Sequence, residues 1–181
     1  MAESSERTEK GARRGPDHTV ASVLTSRATS DPEGVFLLHD DEIVTFGQME
    51  SWAEALAASL AGLGIEAGDR VAVIMPSWPE FVISTFAVAK LGAVLVPLDP
   101  RLTAEDLRYT LRHSEAVAAI TAETLEDFDF LQLFEELMVK LPDLRYLVTV
   151  GKEDLWYDDR IFQFEDLLSA GGGRDYSATA V

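Results

Sequence analysis

Residues 70–100 read RVAVIMPSWPEFVISTFAVAKLGAVLVPLDP. Two apolar, β-branched runs flank a segment that is apolar almost all round. The first run, residues 70–75, has the continuous hydrophobic character of a strand covered on both faces, and its expected place is central in a sheet. Ser77 and Glu80 stand at the spacing of a capping box, so a helix is predicted to follow. Gly92 supplies the left-handed stop, and residues 93–98 form the second strand. A strand, a buried helix and another strand in close succession predict parallel pairing through a right-handed crossover.

The same punctuation extends outward. Upstream, VFLLHDDEIVTF (residues 35–46) predicts a short hairpin turning at His39, Asp40, Asp41 and Glu42. Thr45 with Gln48 forms a capping box, and Val44 with Met49 forms a hydrophobic staple. Met49, Trp52, Leu56, Leu60 and Leu63 then repeat at three and four, ending at Gly64. Downstream, Thr103 with Asp106, stapled by Leu102 and Leu107, opens a helix to about His113. AVAAIT (116–121) is a further strand, and FLQLFEELMVKL (130–141) is a helix burying Phe134, Leu137, Met138 and Leu141 and stopped by Pro142. RYLVTV (145–150) is the next strand. Residues 161–173 predict a short helix and a flexible link at Gly171, Gly172 and Gly173; residues 174–181 read as the start of one more strand. The predicted class is α/β: an open, mostly parallel sheet with crossover helices, preceded by a short β-hairpin.

Composition narrows the function. With 15 Lys and Arg against 32 Asp and Glu, the formal charge is −17, which argues against a nucleic-acid partner, because phosphate binding needs clustered cations. Uninterrupted apolar runs of membrane-spanning length are missing, so no membrane span is expected. The absence of cysteine excludes disulfides and thiolate metal sites and favours a cytoplasmic location. Residues 1–17 carry mixed charge without a signal-peptide apolar core, and are expected to be a disordered tail.

A search for chemistry returns little. The turn after residue 75 is MPSWPEF, without the glycines of a dinucleotide-binding fingerprint, and a P-loop does not occur. His18, His39 and His113 lie apart on a tail, a turn and a helix end; His113 suits a helix C-terminus as a cation. Glu126, Asp127 and Asp129, and Glu135 with Glu136, are close in sequence, as acid–base carboxylates would be, but in so acidic a chain a solvated helix surface is the preferred reading. Asp99 is the best single candidate, because it ends a parallel strand, where α/β folds bind ligands. A receiver-type phosphoacceptor would sit there with Lys152 as its lysine, but Met75-Pro76 does not supply the acidic cluster such a site needs; a turn in which the carboxylate accepts backbone amides is preferred. No catalytic residue, cofactor ligand or metal ligand is assigned from the residues themselves.

Two blocks carry a resemblance. VTFGQME (residues 44–50) and KLGAVLVPLDP (residues 90–100), in this order and spacing, resemble the N-terminal part of the AMP-forming acyl-CoA synthetases and related adenylate-forming ligases. Leu102-Thr103 and His113-Ser114 resemble the acyl-CoA synthetases more than the peptide-synthetase adenylation domains. The resemblance implies that residues 18–181 are an incomplete N-terminal portion of the adenylate-forming ligase fold, ending before the phosphate loop. It implies a complete enzyme, of fatty-acid metabolism by this likeness, that uses ATP, Mg²⁺ and coenzyme A to convert a carboxylic acid to its thioester. The Ser/Thr/Gly-rich loop ending Pro-Lys-Gly and the catalytic lysine of that family are not among these 181 residues. The chain alone is therefore expected to bind none of these cofactors and to be inactive, its partner being the remaining part of the ligase. The alternative is a non-catalytic truncated paralogue that binds or regulates a full-length ligase.

Overall fold

The computed structural model describes residues 19–153, 155 and 158–173. The predicted tail, His18 and the strand expected beyond residue 173 lie outside them. The first described element is a helix that the sequence reading did not anticipate, α1 (Val20–Ser30), opened by a Thr19/Ser22 capping box. A single residue, Leu24, is buried along it, so it lacks the three-and-four stripe by which a helix is recognised.

β1 (Val35–His39) and β2 (Glu42–Thr45) form the predicted antiparallel hairpin, with His39 paired to Glu42 and the turn reduced to Asp40 and Asp41. α2 (Phe46–Gly62) follows at once. Thr45 Oγ1 accepts from the Gln48 amide at 3.2 Å, and the Gln48 side chain accepts from the Thr45 amide at 2.9 Å. Two orphan donors of the first turn are thereby satisfied, a cap typically contributing about 1 kcal/mol. Met49, Trp52, Leu56 and Leu60 are buried, Leu63 is half-buried, and Gly64 has φ +80°.

β3 (Arg70–Ile74), α3 (Pro79–Leu91) and β4 (Val94–Leu98) reproduce the strand–helix–strand reading of residues 70–100. The Ser77/Glu80 capping box does not form. Pro79, with its fixed φ and missing N–H, takes the first helical position, so the N-cap is Trp78, which has no side-chain acceptor, and Glu80 is carried one position early into full burial. α4 (Ala104–Ser114) is capped by Thr103, whose Oγ1 accepts from the Asp106 amide and donates to the Asp106 carboxylate at 2.7 Å. β5 (Ala116–Ala122), α5 (Phe130–Lys140) and β8 (Tyr146–Val150) complete the predicted alternation, with a small hairpin of β6 (Thr124–Leu125) and β7 (Phe128–Asp129), not expected from the sequence, between β5 and α5. β9 (Ile161–Gln163) and α6 (Phe164–Ala170) divide a segment for which the sequence predicts helix only.

The main sheet runs β4-β3-β5-β8-β9, every neighbouring pair parallel. β3 is therefore interior but one strand from the edge; β5 holds the centre. Alternation divides the core. Val71, Val73 and Met75 pack with α2, α3 and α6 on one face, and Ala72 and Ile74 pack with α4 and α5 on the other. The chain moves from β3 to β4 in one direction and from β4 back across β3 to β5 in the other. Its connecting helix changes face at the same step, which keeps both crossovers of one hand. The free edge at β4 is blunted: Val94 N–H donates to Asp69 C=O, so it is the backbone groups of Leu95 and Pro97 that face the free edge, and Pro97 has no amide to offer.

The glycine run after α6 is a packed joint. A Cβ on Gly171 would overlap the Ala55 carbonyl oxygen of α2, and Ser59 Oγ of α2 donates to the Leu167 carbonyl. Gly172 turns at φ +88°, and the Gly172 and Gly173 amides donate to Ser169 and Leu168 carbonyls, closing the helix. The expectation of a flexible link is thus corrected: glycine is present because two helices touch there through backbone.

Two substitutions check this packing. Gly171→Ala is expected to destabilise by about 1–3 kcal/mol through the forced separation of α2 and α6, read by urea denaturation; an unchanged midpoint would restore the flexible link. Leu56→Ala, with no exposed surface in the native chain, is expected to cost about 2–5 kcal/mol, and a loss below about 0.5 kcal/mol would place that side of α2 in solvent.

Candidate functional site

In an open α/β sheet, ligands bind beyond the carboxyl ends of the strands where the winding direction reverses. Here that point lies between β3 and β5. A cavity of ≈ 470 Å³ lies beside it, lined by Trp78 after β3, residues 123–126 after β5, Val150 at the end of β8 and residues 151–153 after it. The sequence reading chose a strand end correctly in kind but took the edge strand.

Asp99, at the end of β4, lies outside this cavity in a shallow depression with Ser77, Pro97 and Arg101. Its Oδ1 accepts from the Arg101 amide at 2.9 Å and from Nε at 3.0 Å, while Oδ2 accepts from Nη2 at 2.6 Å. The side-chain and backbone donors of Arg101 hold the Asp99 carboxyl at about 2, well below its ordinary value. The same Asp-x-Arg device recurs where the chain approaches β9. Asp158 accepts from the Arg160 amide, Nε and Nη2 at 2.9, 3.0 and 2.7 Å, and its carboxyl is likewise held low, chiefly by the Arg160 side chain. A feature repeated at two unrelated turns is turn geometry. Asp99 is also three strands from the end of β8, about 14 Å at the usual strand spacing, so it cannot reach the segment that bears Lys152. The turn reading of Asp99 stands and the phosphoacceptor pairing fails.

The remaining candidates do not converge. His39 ends β1, its Nε2 3.8 Å from Asp40 Oδ2, and His113 stacks on Tyr109 in the last turn of α4, ring centroids 5.8 Å apart. Asp129 caps α5, accepting from the Gln132 amide at 2.8 Å. Glu136 pairs with Lys140 at 3.6 Å on the exposed side of α5, and Glu135 is half-buried beside it. Glu126 alone of these lines the cavity, at φ +54° in the turn between β6 and β7.

The residue that organises the site is Glu123, which sequence reasoning passed over. It follows β5 directly and is 5% exposed. Oε2 accepts from the amides of Lys152 at 2.8 Å and Glu153 at 3.1 Å; Oε1 accepts from the Thr149 hydroxyl at 3.2 Å and from the Gln163 side-chain amide. The Glu123 carbonyl accepts from Phe130 and Leu131, two of the orphan amides that open α5, and its own amide donates to Val150. One residue thus joins β5, β8, β9 and α5. Its signal in the sequence is a carboxylate set directly after the wholly uncharged strand AVAAITA.

The site has the wrong polarity for a triphosphate. The lining residues include the carboxylates of Glu123, Glu126 and Glu153 against the single ammonium of Lys152, and the Lys152 and Glu153 amides are already engaged. No group of three His, Asp or Glu side chains among the described residues is placed to hold a metal ion. The residues present therefore do not fit ATP with Mg²⁺, and no chemical step is assigned to them.

The Asp99 account is checked by carboxyl-detected NMR titration. The Asp99 signal is expected to titrate at about 2 and to return to the ordinary range in Arg101→Ala. A depressed carboxyl contributes stability above its unfolded value and loses it as pH falls toward 2, so the Asp99–Arg101 turn should loosen only in that acidic window. An unshifted Asp99 would contradict the pairing.

Residues 9–171 match the family model of the AMP-binding enzymes. The chain is 34% identical over 110 residues to a long-chain-fatty-acid--CoA ligase of Bacillus subtilis, an alignment covering 61% of this chain and 20% of that protein. It is 31% identical over 153 residues to triostin synthetase I of Streptomyces triostinicus, covering 84% and 27%. Among solved structures, the anthranilate CoA ligase AuaEII in complex with anthranoyl-AMP superposes with TM-score 0.74 at 26% identity, over 84% of this chain and 28% of that one. The acetoacetyl-CoA synthetase of Streptomyces lividans gives 0.75 at 26%, over 84% and 25%. The chain spans about a quarter of the length of these relatives. With its parallel five-stranded sheet, small antiparallel hairpin and match over residues 9–171, the chain belongs to the AMP-binding enzyme family of adenylate-forming ligases.

Proposed function

We propose that residues 18–181 supply the N-terminal portion of the adenylation domain of an ATP-dependent acid–CoA ligase, residues 1–17 preceding it as a tail. The complete enzyme would convert a carboxylic acid, ATP and coenzyme A to the acyl-CoA, AMP and pyrophosphate. The observation that carries this reading is the pairing of a family match over residues 9–171 with a span of about a quarter of the relatives. The named relatives include long-chain fatty-acid and aryl-acid ligases, so the acid is left as a class.

The polarity of the cavity supports a scaffolding role for these residues. Adenylation needs donors and cations around the transferring phosphates, whereas the charged side chains lining the cavity are the carboxylates of Glu123, Glu126 and Glu153 and the one ammonium of Lys152. The phosphate-binding groups, Mg²⁺ included, would come from the remaining part of the ligase, on this polypeptide or another. α3 accords with a covered position, since every one of its residues is buried or half-buried, Phe81, Val82 and Phe86 being half-buried. A cytoplasmic location belongs to the same proposal; among the described residues no helix is long and apolar enough to cross a membrane.

The test is an assay of the purified 181-residue chain with ATP, Mg²⁺, coenzyme A and a panel of fatty and aryl acids. No thioester is expected, since each missing preorganised donor alone is worth about 10²–10³ in rate. Measurable ATP- and CoA-dependent thioester formation would overturn the assignment of the chemistry to the rest of the enzyme.

A further inference from the structure

Residues Lys152 and Glu153 present exposed side chains, yet their amides turn inward to a buried carboxylate. We propose that the turn at residues 151–153 is an anion-binding cradle and that Glu123 is its resident anion, a positioning residue that fixes the lip of the switch-point cavity. Consecutive backbone amides converging on one point create a local positive potential, here inside a chain whose formal charge is −17. Hydrogen bonds to an ionised acceptor are about twice as strong as neutral ones.

The donor arrangement selects a charged acceptor of two oxygens. Oε2 accepts from two amides, and Oε1 accepts from the Thr149 hydroxyl, the Gln163 side chain and, at 3.3 Å, the Glu153 amide. A glutamine at this position keeps one neutral oxygen. Facing the Lys152 and Glu153 amides it is the weaker acceptor and its N–H group obliges Thr149 and Gln163 to reorient; turned round it sets that N–H group against the two amides. Gly151 shows how closely the turn is wrapped: a Cβ there would overlap Glu123 Oε2. The Gln163 side chain completes the enclosure by also donating to the Glu153 carbonyl at 2.8 Å, so β9 and the turn are held to the same anion. This holds whatever the cavity receives.

The ligand class follows: with Glu123 truncated, the cradle should take a small free carboxylate such as acetate. The experiment is thermal melting of Glu123→Ala in sodium acetate and in sodium chloride of equal ionic strength, with the unaltered chain as control. The variant is expected to melt below the unaltered chain and to recover saturably with acetate. The recovery should be about 3–6 °C at tenfold excess over the dissociation constant, with no such difference between salts in the unaltered chain. Equal effects of acetate and chloride on the variant would overturn the proposal. Should Glu123→Ala not fold, amide hydrogen exchange decides. Lys152 and Glu153 should be protected about tenfold or more in the unaltered chain and less so in Glu123→Gln, whose neutral oxygen is the weaker acceptor, whereas fast exchange in the unaltered chain, or equal protection in both, would overturn it.

Discussion

A parallel sheet can be stable only if both of its faces are covered, and the remainder of this structure follows from that constraint. Strand β3 alternates Val71 and Val73, with Met75 just after it, toward one layer of helices and Ala72 and Ile74 toward the other. Each crossover must therefore deliver a helix to a face that lacks one. Once α3 has filled one face between β3 and β4, α4 must cross to the other, and the right-handed crossover then sends the chain back past β3 to β5. The reversal that creates the cavity between Trp78, Glu123 and Lys152 is a by-product of covering the sheet.

Strand ends at such a reversal leave backbone amides without ladder partners, and a buried amide must be paired. Glu123 resolves this for the turn after β8 with its carboxylate and for the start of α5 with its carbonyl. The solution has a consequence for function. Amides that answer to an internal carboxylate are withdrawn from phosphate binding, and the neighbouring Glu126 and Glu153 add negative charge. The turn at the switch point of this unit is thus shaped by Glu123, with its inward amides already paired.

Most of the architecture was legible because the signals were local and redundant. Thr45 with Gln48, Thr103 with Asp106, and the spacing of Met49, Trp52, Leu56 and Leu60 each name an element boundary or a buried face without reference to the rest of the chain. Where two local rules competed, reading failed. Ser77 and Glu80 have capping-box spacing, but Pro79 imposes its own start one residue later. The helix α1 escaped because Leu24 alone is buried there, and β9 because three residues leading into a helix carry no period of their own. Gly171 and Glu123 belong to a different category. Their roles depend on Ala55 and on Thr149, Lys152, Glu153 and Gln163, partners that only the tertiary fold brings near, so composition suggested a linker at one and nothing at the other.

The central claim is that this chain contributes sheet and framework to an adenylate-forming ligase without its own nucleotide site. It is tested most directly by NMR titration of the 181-residue chain with Mg²⁺-ATP, following the Lys152 and Glu153 amides and the Trp78 indole. The account predicts no saturable shift at these groups up to millimolar nucleotide. Saturable micromolar binding centred on them would contradict it, and would mean that the cradle releases Glu123 in favour of phosphate.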